Sequence, residues 1–109
     1  MKENNRNMTA TFETHKLGIL STNHLTPTDA RTLETLLATL HGNDSFLVYT
    51  AIGADEFFEA CILPILHANF SETFKTIIMW ARREEFSYLL FDGEGIEYVD
   101  LFPIFDGEG

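Results

Sequence analysis

The chain has 109 residues, 17 acidic against seven basic, for a formal net charge of −10. A surface of that sign repels phosphate, so direct binding to nucleic acid or to an anionic membrane is not expected. Apolar content of 45% suffices for one small core, and the lone cysteine, Cys61, excludes an internal disulfide and fits a reducing compartment.

Residues 1–14 are polar and lack periodicity apart from Phe12. They predict a flexible N-terminal segment ahead of a single domain over 15–109. No apolar signal core is present, and the longest apolar run, Ala60 to Leu66, contains Pro64 and is too short for a bilayer. The expected location is the cytoplasm.

Leu17 to Leu20 reads as a first strand, leading into Ser21-Thr22-Asn23-His24-Leu25. Thr26, Pro27 and Asp29 then form a helix start: a hydroxyl to cap, a proline for the first position, an acid for the positive helix end. Ala30, Leu33, Leu36, Leu37 and Leu40 recur at helical spacing, predicting a helix over 27–41 stopped by Gly42-Asn43. Ser45 to Ile52 is β-branched and aromatic and predicts a strand ended by Gly53.

Residues 55–66 carry a helical stripe (Phe57, Phe58, Cys61, Ile62, Ile65, Leu66), yet a proline inside a helix costs about 3 kcal/mol. A short helix ending before Pro64 is the compromise. Ser71 caps the next helix, with Phe74, Ile77, Ile78 and Ala81 on one face and Arg82 and Arg83 at its C-terminal end. Met79 and Trp80 fall off that face and need a cover. Phe86 to Phe91 and Ile96 to Leu101 read as a hairpin around Asp92-Gly93-Glu94-Gly95. The expected fold is α+β, a small mixed sheet of about four strands with two to three helices on one face, in the order β-α-β-α-α-β-β.

Three features bear on chemistry. Ser21 as nucleophile and His24 as general base would suit a small hydrolase or transferase. The spacing matches neither a nucleophile elbow nor a triad, so hydrogen bonding within the strand-to-helix turn is the favoured reading. Cys61 sits in an apolar context and reads as a buried, inert thiol. No cysteine or histidine pattern has metal-ligand spacing, and no nucleotide motif is present, so neither metal nor cofactor is expected.

After Arg83 no cation appears, while Glu84, Glu85, Asp92, Glu94, Glu97 and Asp100 alternate with aromatic and aliphatic residues. Interspersed apolar residues mark folded structure rather than an acidic tail. Such a surface suits a protein partner with a basic groove.

Leu20-Ser21-Thr22-Asn23-His24-Leu25-Thr26, Phe91-Asp92-Gly93-Glu94-Gly95 and Leu101-Phe102-Pro103-Ile104-Phe105-Asp106 resemble blocks of an uncharacterised small-domain family carried on bacterial plasmids, conjugative elements and phages. Asn23 stands where that family has Ala, Leu101-Phe102-Pro103 carries one extra residue, and Gly107 replaces a Trp. The resemblance implies a mobile-element setting in a bacterial host, where small acidic proteins often blunt host defence. The expected function is a non-enzymatic inhibitor of the anti-CRISPR or anti-restriction type. It would occupy the basic surface of a nucleic-acid-binding host protein, such as a CRISPR effector or a restriction enzyme, through Asp92, Glu94, Glu97 and Asp100, with Glu84 and Glu85 nearby. The rivals are the Ser21–His24 enzyme and a homodimer that pairs through Met79 and Trp80 or an exposed strand edge.

Overall fold

Alternating apolar residues build the sheet. The computed structural model describes residues 14–36, 38–40 and 45–105. Its strands are β1 (Leu17–Ser21), β2 (Ala38–Leu40), β3 (Phe46–Tyr49) and β4 (Tyr88–Asp92). β1 lies parallel to β4, β4 antiparallel to β3, and the three-residue β2 pairs antiparallel along the outer edge of β3, giving the order β1-β4-β3-β2. The N-terminal 13 residues, the Gly42-Asn43 stop and residues 106–109 lie outside the described residues.

Register assigns the two faces. Leu20 and Phe46 flank Phe91, and Gly18 and Val48 flank Leu89. The side chains of this face are buried, and the Phe74 ring lies 5.9 Å from that of Phe91. On the opposite face Leu17, Tyr88 and Tyr49 form one row and Ile19, Leu90 and Leu47 a second. Leu17, Ile19 and Tyr49 remain about half exposed there.

Three helical segments cover the buried face: α1 (Pro27–Thr35), α2 over residues 55–69, and α3 (Glu72–Arg83). The start of α1 is a closed capping box, with the Asp29 N–H donating to Thr26 Oγ1 at 3.0 Å. The buried Asp29 carboxylate also accepts from the N–H of Ser71 at 2.9 Å and from its hydroxyl at 2.6 Å. Ser71 in turn caps α3 by accepting from the Phe74 N–H. One carboxylate thus sits where two helix N-termini, with their unpaired N–H groups and positive dipole ends, converge.

α2 differs from expectation because it continues through Pro64. Phe58–Ile62 winds as a π-helical turn in which the Leu63 N–H reaches back to the Phe58 carbonyl. The change of register places Pro64 in the first turn of Leu63–Asn69, where its missing N–H leaves no bond unmade. α1 is shorter than expected, ending at Thr35 rather than His41, because residues 38–40 leave the helix to pair with β3. Tertiary pairing overrides local helix propensity there.

The expected strand over Ile96 to Leu101 is absent, and with it the C-terminal hairpin. Both edges of β4 are already occupied by β1 and β3, so no ladder is open to a following segment. The chain turns away instead, and the Leu101 N–H closes on the Tyr98 carbonyl at 2.9 Å. Trp80 finds its cover within the chain: it stacks on Phe86 and meets the edge of Phe102, both with centroids 5.6 Å away.

Arg82 clamps the loop that follows β3. Its Nη1 donates to the carbonyls of Thr50 and Ala51, its Nη2 bonds Asp55, and its guanidinium lies 3.8 Å over the Phe58 ring. Ala51 is fully buried at φ 59, a left-handed conformation that an alanine adopts only under such restraint.

Candidate functional site

Residues 95–105 form a strap across the turn Thr22–His24 at the end of β1. The strap is held by backbone first. The Ser21 N–H donates to the Ile96 carbonyl at 2.9 Å, and the Phe105 N–H donates to the Asn23 carbonyl. Gly95 lets the strap approach: a Cβ at that position would stand 2.6 Å from both the carbonyl carbon and the oxygen of Leu20.

His24 is the side chain that locks it. The imidazole is wholly buried; its Nε2 accepts from the Tyr98 N–H at 2.9 Å, and its Nδ1 lies 2.8 Å from the Pro103 carbonyl. A backbone N–H can only donate, so Nε2 carries no proton and Nδ1 donates to Pro103. This is the neutral ring with both nitrogens engaged. Phe102, also buried, meets the ring edge-on at 5.8 Å.

Ser21 and His24 do fall in one turn, but neither presents a reactive atom. Ser21 is buried, with its Oγ accepting from the Asn23 N–H at 2.9 Å. The arrangement serves the turn and the strap. Cys61 departs from expectation in the other direction: it is exposed. Among the described residues no group of three or more His, Cys, Asp or Glu is placed to hold a metal ion, and no helix is long and apolar enough to cross a membrane.

The acidic residues divide between two places. Asp92 stands beside Ser21 in the β1–β4 register, its Oδ1 accepting from the Glu94 N–H at 3.1 Å. Glu97 accepts from Asn23 Nδ2 at 2.6 Å. Asp92 and Glu97 therefore flank the same turn, exposed Glu94 lies between them in the chain, and Asp100 follows on the exposed part of the strap. Glu84 and Glu85 lie just after α3, towards the opposite end of β4, and do not join them.

Between the strap acids stand Ile96 and Val99, each 63% exposed, and Leu101, 52% exposed. Elsewhere the Lys75 ammonium, by hydrogen bond and charge, holds the Glu72 carboxyl below its ordinary value at the start of α3. Sequence reasoning found the acids and the turn but missed Gly95 and Phe102. Their signals were weak: one glycine of a turn pair, and one phenylalanine among ten.

The family model described as "Family of unknown function (DUF5983) C-terminal domain" matches residues 17–107. No curated protein and no solved structure matches the chain.

Proposed function

The chain belongs to the DUF5983 family, and from that premise and the geometry of its strap we propose that it is a non-enzymatic binding protein. Its strap would dock on the basic surface of a nucleic-acid-binding host protein, such as a CRISPR effector or restriction enzyme, and exclude the nucleic acid. One observation carries this reading: a pre-ordered segment on which exposed Ile96, Val99 and Leu101 alternate with Glu94, Glu97 and Asp100. Apolar side chains supply contact area, and carboxylates supply steering and register against Lys and Arg. Because His24 and the Ser21 turn already hold the strap, little ordering entropy is lost on docking. A mobile-element origin and a bacterial cytoplasmic setting belong to the same proposal.

The test is to pass the tagged protein over lysate of its host, with and without duplex DNA, and identify retained proteins by mass spectrometry. A retained nucleic-acid-binding protein that DNA displaces supports the proposal. With the target in hand, the double variant Glu94→Lys and Asp100→Lys is expected to slow association and flatten its salt dependence. Unchanged rate and salt dependence refute a role for these acids. A second reading is self-association through the half-exposed sheet face of Leu17, Ile19 and Tyr49; a monomer mass in solution refutes it.

A further inference from the structure

Gly18 occupies an inward position of β1, in register with Leu89, and brings no side chain to it. The Leu89 and Phe86 side chains close in on Gly18, and beyond them a pocket of about 190 Å³, open to solvent on one side, lies between β1 and α3, lined by Ile77, Trp80 and Leu89 and bordered by Leu101 and Phe102 of the strap. An enclosed apolar cavity of roughly 150 Å³ takes up benzene, and in an open apolar pocket a ligand of that kind displaces poorly held water.

We propose that this cavity is a binding site for a small neutral apolar molecule, a single aromatic ring with short aliphatic substituents. The volume suits one ring and a few further carbons. None of the lining side chains is charged, so nothing inside would compensate a buried ionic head. The net charge of −10 and the neighbouring Glu97 and Asp100 disfavour an anion at the mouth. Trp80, Phe86 and Phe102 offer ring faces and edges that pair with a bound aromatic. One side of the pocket is the strap itself, which His24 holds in place.

Trp80 is the chain's only tryptophan and lines the cavity, which makes it the reporter. Titration with toluene is expected to shift Trp80 emission saturably, with Kd on the order of 1 mM or tighter. Hexanoate and benzylamine serve as the anionic and cationic comparators, each expected to bind at least about tenfold more weakly. Gly18→Val pushes the Leu89 and Phe86 side chains into the pocket they line and is expected to weaken toluene binding by about tenfold or more. Should that variant not fold, Gly18→Ala replaces it, since its Cβ would lie 3.1 Å from Leu89 Cδ2 and 3.4 Å from Phe86 Cδ1, both side-chain atoms. Its expected effect is a smaller but measurable loss. No saturable response, full affinity in the filled variant, or hexanoate binding as tightly as toluene each overturns the proposal.

Discussion

Replacing His24 by alanine is the sharpest perturbation of the strap. It removes two hydrogen bonds, from the Tyr98 N–H and to the Pro103 carbonyl, each contributing about 1 kcal/mol net. It also removes the edge contact with Phe102, about 1 kcal/mol, and leaves part of a ring-sized cavity worth about 1 kcal/mol more. Tyr98 and Pro103 lie near the surface, where water replaces some of what is lost. The expected cost is therefore about 3 kcal/mol, a fall in Tm of roughly 12–20 °C for a domain of this size. Thermal unfolding by circular dichroism measures the total, and hydrogen exchange at the Tyr98 and Phe105 amides reads the strap directly. His24→Gln, which offers one acceptor and one donor, should recover part of the loss. A double-mutant cycle with Phe102→Ala should return a coupling of about 0.5–1.5 kcal/mol. A loss below about 1 kcal/mol with unchanged strap protection would refute the assignment of His24 as the lock.

Gly95→Ala forces a Cβ against the Leu20 backbone and should cost about 2–4 kcal/mol by overpacking and loss of the Ser21–Ile96 bond; a chemical denaturation midpoint equal to wild type would contradict the close approach. Asp29→Ala opens the capping box by removing the acceptor of the Thr26 N–H and leaves the Ser71 N–H and hydroxyl without theirs, with an expected cost of about 3 kcal/mol. Asp29→Asn, which keeps an acceptor without the charge, should recover part of that, and wild-type stability in Asp29→Ala would show that the carboxylate and its bonds contribute nothing. Arg82→Lys loses the planar fork that reaches Thr50, Ala51 and Phe58 together and should cost about 1–2 kcal/mol. Faster amide exchange in residues 51–55 is the local readout, and unaltered exchange would rule out the clamp.

Local signals were read correctly wherever they were answered locally. Thr26, Pro27 and Asp29 marked the start of α1, Ser71 marked that of α3, and Phe74, Ile77, Ile78 and Ala81 form the buried face of α3 as their spacing implied. The α+β class followed from those elements. Misreadings arose where a distant partner decided the outcome. Ala38–Leu40 has helical spacing, but β3 claims it. Ile96 to Leu101 alternates like a strand, but β4 has no free edge to offer. Pro64 is a breaker by rule, yet the π turn before it removes the conflict. The strap was the least legible feature, because Gly95, Tyr98 and Pro103 meet their partners across more than seventy residues of chain. Periodicity has no reach at that separation.

The parallel pairing of β1 with β4 also sets a timetable. β1 is synthesised before the other described strands, yet its one partner spans Tyr88–Asp92. At roughly 5–20 residues per second, a ribosome needs several seconds to deliver that partner after Ser21 has been made. Through that interval Leu17, Ile19 and Leu20 wait unpaired, while the β2–β3 ribbon and the helices between can already assemble. Completion of the sheet and closure of the strap fall together once residues 88–105 have emerged, so the nascent domain is most exposed to aggregation and to chaperones until β4 emerges.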